Sequence, residues 1–206
     1  MRQGITRVGM SNVGKSYWRR KFEAASYRTI CCDDEIERRL KPFLEAKGFV
    51  GIHDVAKWMG QPFDPQYPEN SALYLKFENE VMDETIDRLF RGQRLVIDTT
   101  GSVIYTDKRI QTLLRVHSTV VLLDTTEDAE KDLAKRYIEE PKPVIWGSGI
   151  YAPLPGEEPL QALCRCYPDL LSTRKEAYNN IAHVILDYDL FRSPGFRVKD
   201  FVRLIS

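Results

Sequence analysis

The sequence predicts an α/β protein built on a mostly parallel five-stranded sheet with helices on both faces. Three observations predict it. Short apolar runs alternate with longer segments of helical period. Two of those runs, Leu95-Val96-Ile97-Asp98 and Val120-Val121-Leu122-Leu123-Asp124, are apolar without alternation, as strands covered on both faces are. The run at 5–9 leads directly into Gly9-Met10-Ser11-Asn12-Val13-Gly14-Lys15-Ser16, a glycine-bounded loop that opens a helix.

Taken in order, residues 5–9 read as a strand and 14–25 as a helix. Residues 27–32 read as the second strand, ending in Cys31-Cys32. A helix is expected over 33–47, with Asp33 at its N-cap, acids in its first turn and Gly48 just past its end. Pro42 predicts a kink or break there. A short helix is expected at 52–59. Pro62, Pro65 and Pro68 make 61–68 a loop, and a helix over 71–91 carries Leu73, Phe77, Val81, Ile86 and Leu89 on one face. The strand at 95–98 follows, 103–117 receives no element, and the strand at 120–124 precedes a helix at 127–139. The proline- and glycine-rich stretch 141–168 is expected as loop. A helix at 170–182, a strand at 184–186 and a helix at 198–205 complete the chain.

The 206 residues carry 30 basic and 30 acidic side chains. This balance argues against a general nucleic-acid or anionic-membrane binder, which needs a basic excess. No run is long and apolar enough to span a bilayer. The cysteines, Cys31-Cys32 and Cys164-x-Cys166, lack a metal or redox spacing, so reduced thiols and a cytoplasmic location are expected. One domain is expected over 1–206, with no nucleic acid and no membrane among its partners.

Gly9 to Ser16 matches G-x-x-x-x-G-K-[ST] in full. Such a loop wraps backbone N–H groups around phosphate oxygens, and the following helix adds its positive end. Gly9, Asn12, Val13, Gly14, Lys15 and Ser16 are therefore the expected ATP-binding residues, joined by Arg136 from a later segment. Lys15 would reach the β and γ phosphates, and the Ser16 hydroxyl would ligate Mg²⁺. Asp98 ends an apolar strand and is the second expected metal ligand, although an Asp there also suits a turn. Asp33, with Asp34 as the alternative, would orient or deprotonate a hydroxyl nucleophile. Arg136 and Lys142 flank Glu139-Glu140-Pro141 in an expected lid over about 136–170, where cations would close over the transferred phosphate. Trp146 and Tyr151 either cover the acceptor or anchor this long segment.

These motifs resemble the shikimate kinase family. Asp33-x-x-Ile36-Glu37 is similar to the end of its D-x-D-x-x-I-E pattern, with Cys31 in place of the first Asp. Glu78 matches the acid of its R-x-x-E, with Leu75 in place of the arginine. Gly101 stands in the region of its triple glycine, Lys142-Pro143 is similar to the R-P of its lid, and Arg174-x-x-x-Tyr178-x-x-Ile181-Ala182 is similar to its late R-x-P-x-Y-x-x-I-A. Residues 187–194 are similar to its adenine loop, and about 61–70 and 146–168 are additions. The resemblance implies a three-layer α/β/α P-loop NTPase fold with a lid segment, and substrate-binding helices within about 33–90. It implies a monomer that uses ATP and Mg²⁺ to phosphorylate a small hydroxylated, anionic metabolite. Asp33, Asp34, Gly101, Lys142 and Arg174 would contact that acceptor, and Lys15, Asp33 and Arg136 would serve catalysis. A nucleotide-binding protein without transferase activity, and a kinase of nucleosides or nucleotides, stay open as alternatives.

Overall fold

The computed structural model describes residues 2–139 and 142–205. Strands β1 (Gly4–Val8), β2 (Thr29–Cys31), β3 (Val96–Asp98), β4 (Ser118–Leu123) and β5 (Val184–Leu186) form one sheet in the order β2-β3-β1-β4-β5. Every neighbouring pair is parallel, so all five strands present their carboxyl ends to the same edge, where ligands bind in open α/β sheets. The register sets Asp98 of β3 between Arg7 of β1 and Cys31 of β2. Three chemistry-bearing residues thus lie side by side toward the carboxyl ends of three neighbouring strands.

Helices α1 (Lys15–Ala24), α2 (Cys32–Glu45), α3 (Ile52–Met59) and α4 (Tyr67–Phe90) precede β3, or lie between it and the first strands. Helix α5 (Lys108–His117) leads into β4, and α6 (Glu127–Glu139) and α7 (Pro159–Ile181) separate β4 from β5. Helices α8 (Tyr188–Arg192) and α9 (Val198–Leu204) close the chain. Trp18 and Phe22, one turn apart on α1, meet Phe201 of α9 with ring centroids 5.3 and 5.2 Å away. All three rings are buried, and removal of each from water contributes roughly 1.5–3 kcal/mol. This packing fixes the axis of α1, and with it the end of the phosphate loop.

Several elements depart from their expected bounds. Helix α2 starts at Cys32, so Asp33 lies inside its first turn and Cys31 occupies the N-cap position. The helix also continues through Pro42 without breaking, because Leu40 and Leu44 on either side are buried. Helix α4 starts at Tyr67 with Pro68 in its first turn, where a missing N–H costs nothing. Helix α7 starts at Pro159 rather than at 170 and runs through Pro168. An interior proline costs about 3 kcal/mol, offset here by burial of Leu163, Cys166, Tyr167, Leu170 and Leu171 along one face. The unassigned region holds α5, with Ile110 and Leu114 buried four residues apart. The cysteines are free, and no described helix is long and apolar enough to cross a membrane.

Candidate active site

The loop between β1 and α1 adopts a conformation that its glycines permit. Gly9 has φ 141°, and a Cβ there would stand 2.7 Å from the Leu123 carbonyl oxygen. Gly14 has φ 119° and is the N-cap of α1 without a side-chain capping bond. The first N–H groups of α1 are therefore left for an anion. Lys15 is 8% exposed, and its Nζ donates to the carbonyls of Gly9 (2.8 Å) and Met10 (2.9 Å). Burial lowers its pKa, while Asp98 and Asp33 pull in the opposite direction.

One cleft of about 380 Å³ collects Ser11, Asn12, Gly14, Lys15 and Ser16 from the loop, Asp33 and Asp34 from α2, Gly101 after β3, and Lys142. Tyr17, Arg19, Cys31, Tyr74, Ser102 and Pro143 complete its lining. Beyond Gly14, on the other side of the loop, a cavity of about 690 Å³ is lined by Val13, Tyr17, Trp18, Arg192, Pro194 and Phe196, among others. The phosphate loop therefore stands between a polar cleft and a larger, more aromatic cavity.

Asp33 accepts a hydrogen bond from Tyr74 Oη at 3.3 Å. Burial pushes its carboxyl up to about 6, with Lys15 opposing the shift. It is thus ionised at neutral pH yet close to the pH at which proton transfer is easiest. Asp34 is exposed and paired with Arg19 at 3.2 Å. Of the two acids, Asp33 has the setting of a base and Asp34 that of a partner for Arg19. Deeper in, Glu78 of α4 is fully buried and accepts hydrogen bonds from Thr100 Oγ1 and Ser102 Oγ. Burial pushes its carboxyl up to about 7 against the lowering by these two hydroxyls. Thr100 and Ser102 thus cap this acid on the two sides of Gly101.

Asp98 is 2% exposed and stands behind the cleft rather than in its lining. Its Oδ2 is 3.9 Å from Arg7 Nη2, and its Oδ1 has no hydrogen-bond partner among the described residues. Burial raises its pKa, and Arg7 and Lys15 oppose the rise. An unpartnered carboxylate oxygen beside the phosphate-loop lysine fits a hard divalent cation or one of its waters, and Ser16 lies on the cleft side of the same loop. These residues therefore fit Mg²⁺.

Arg136 and Arg174 lie apart from this cleft. Arg136 is exposed on α6 and faces a recess with Asn12, Val13, Tyr188 and Arg192. Arg174 is 4% exposed, and its Nη2 donates to the Ile145 carbonyl at 2.7 Å. Its guanidinium lies over the Tyr105 ring at 5.6 Å. It sits beneath the strap formed by residues 142–147, close to Gly101, and lines a small recess with Ser11, Asn12 and Lys142 next to the cleft.

That strap is anchored. Tyr67 Oη donates to the Val144 carbonyl (3.1 Å) and accepts from the Trp146 N–H (2.8 Å). Trp146 is buried against Tyr137, Tyr151 and Tyr167. Phe63 and Tyr151 bring the two added segments together, 6.2 Å between ring centroids. Of the stretch expected as a lid, Val144, Ile145 and Trp146 are buried and 159–170 is helical, so these parts are packed structure. Trp146 and Tyr151 anchor. Glu140 and Pro141, at the expected lid tip, lie outside the described residues.

Sequence reasoning did not single out Arg7, Arg19, Tyr74 or Ser102 for the site. Arg7 had a signal: a charged residue inside the apolar strand that precedes the loop. The other three had none, since they become neighbours only when α1, α4 and the turn after β3 meet.

The chain's sequence matches no protein-family model and no curated protein. Its structure is similar to the shikimate kinase of Acinetobacter baumannii in complex with shikimate, with a TM-score of 0.58 and 22% identity over 90% of this chain and 83% of that one. It is also similar to the shikimate kinase of Bacteroides thetaiotaomicron (TM-score 0.59, 17% identity, 98% and 95% covered). The shikimate kinase of Aquifex aeolicus gives 0.59 at 17% identity, with 97% and 94% covered. The likeness is one of architecture, and the chain has the three-layer α/β/α P-loop fold of those kinases.

Proposed function

We propose that this protein is an ATP-dependent phosphotransferase acting on a hydroxyl of a small metabolite. The observation that carries the reading is one cleft that holds the phosphate-loop lysine and a carboxylate with its pKa pushed up to about 6. The triphosphate would lie on the amides of residues 11–16, and the nucleoside would occupy the cavity lined by Tyr17, Pro194 and Phe196. Lys15, now bonded to loop carbonyls, would turn to the β and γ phosphates. Asp33 would accept the acceptor's proton as its oxygen bonds to the γ phosphorus and the bond to ADP breaks. Ser16 and Asp98 would hold Mg²⁺, which supplies charge neutralisation between the phosphates when bound.

The substrate side is a hydroxylated small molecule. Apart from Lys15, the cleft's cations are Arg19, already paired with Asp34, and Lys142. An anionic group on the acceptor would therefore meet Lys142 first. Arg174 supports the wall from beneath, and Arg136 serves the nucleotide side of the loop. Shikimate is the first acceptor to test, given the architecture. The test is ADP release over a panel of hydroxy acids, sugars, polyols and nucleosides, run with the parent chain, Lys15→Ala and Asp33→Asn. Acceptor-dependent ADP release that both substitutions abolish supports the reading. Slow hydrolysis unchanged by any acceptor would overturn it.

A further inference from the structure

A guanidinium at the centre of a parallel sheet is costly. Arg7 is 0% exposed on β1, between β3 and β4, and an apolar side chain there would carry no desolvation penalty. Its Nε and Nη2 have no hydrogen-bond partner among the described residues, and the Asp98 contact is long at 3.9 Å. Arg7 is therefore poorly arranged as a purely stabilising group. What it does is join segments. Its Nη1 donates to the Lys15 carbonyl at 2.8 Å, in the first turn of α1. The same guanidinium faces Asp98 at the end of β3, and its plane is backed by the Phe22 ring at 5.5 Å. Its own carbonyl accepts from Thr99 Oγ1 at 2.8 Å. One residue thus spans the base of the phosphate loop and ties the helix carrying Ser16 to the strand carrying Asp98.

We propose that Arg7 is a positioning residue that holds Ser16 and Asp98 in register for the divalent cation of a bound nucleotide. The proposal rests on the nucleotide reading above. A divalent ion accepts its ligands within a narrow range of distances, and Ser16 and Asp98 come from separate elements, α1 and β3. Without Arg7 the loop amides and Lys15 would still bind phosphate, but the metal's contribution to that binding would fall.

The test is calorimetric titration of ADP into the full chain, with Mg²⁺ and with chelator, comparing the parent with Arg7→Met and Arg7→Lys. The ratio of the two affinities measures the metal's contribution. Arg7→Met is expected to cut that ratio about tenfold, as loss of a group that orients a metal ligand does. Arg7→Lys, which keeps the charge near Asp98, is expected to fall between Met and the parent. A merely structural role would lower both affinities in parallel and leave the ratio unchanged, and that result overturns the proposal. Failure of both variants to fold also overturns it, because Arg7 would then be a stability residue. If the parent chain itself binds no ADP, the nucleotide reading fails instead.

Discussion

The two walls of the cleft are built in different ways. The phosphate wall comes from one contiguous stretch, Gly9 to Ser16, whose shape is dictated by two glycines and the start of α1. The opposite wall comes from Asp33 on α2, Tyr74 on α4, Ser102 after β3 and Lys142 after α6. It is backed by a strap that Tyr67 and Arg174 hold in place. The first wall is shaped chiefly by local backbone geometry, with α1 held by its packing on Phe201 and by the Arg7 bond to the Lys15 carbonyl. The second depends on contacts between residues tens of positions apart. Phosphate binding should therefore survive changes that reshape the acceptor side, and the acceptor side should be the more sensitive of the two to packing.

The sharpest way to break this comparison is Lys15→Ala. It should lower kcat about a thousandfold, in the range found for removing a preorganised cation or donor from a charged transition state. Thermal melting should show the variant still folded, with at most about 2 kcal/mol of stability lost, since the ammonium's desolvation cost disappears along with its bonds to the Gly9 and Met10 carbonyls. Next is Asp33→Asn, expected to cost about a hundredfold in kcat/KM. In the parent, kcat/KM should rise with pH as Asp33 ionises near pH 6. A pH profile of the variant should lack that limb, and its survival would assign the base elsewhere.

Stability measurements probe the acceptor wall. Glu78 has its carboxyl raised from 4.5 to about 7, so the folded state holds its proton more tightly than the unfolded chain does. The stability this gives is full below about pH 4.5 and is lost as pH rises to about 7. Relative to the parent, Glu78→Gln should therefore gain on the order of 2 kcal/mol between pH 5 and pH 8 in denaturant titrations. A gain independent of pH would remove Glu78 as its source. The smallest effect is expected from Tyr67→Phe, which leaves the Trp146 N–H and the Val144 carbonyl without their shared partner. About 1–2 kcal/mol of stability should be lost, and KM for the acceptor should rise more than KM for ATP. Equal rises in the two would deny the walls their independence.

Asp33 and Glu78 show how far the sequence could be read. Asp33 was recognisable from its place after a strand and its Ile36-Glu37 sequel, but not the upward shift of its carboxyl, which comes from desolvation, opposed by the charge of Lys15 and the Tyr74 hydrogen bond. Glu78 was visible as half of a motif. Its clasp by Thr100 and Ser102 was not, because those residues stand where glycines were the reference. The prolines misled in a consistent direction. Pro42 and Pro168 argue locally for breaks, and the buried faces of α2 and α7 outweigh them.

By itself the sequence determined the α/β class, the order of the strands along the chain and the whole phosphate loop. Each follows from short-range rules of apolar runs, glycine torsions and helix starts. The tertiary structure alone decided that Glu78 and Asp98 are buried, that Arg174 lies under the strap, and that Arg7 bridges α1 and β3. Burial and the pairing of charges depend on which distant segments fill the space around a side chain. A linear pattern carries no record of that until the sheet has brought those segments together.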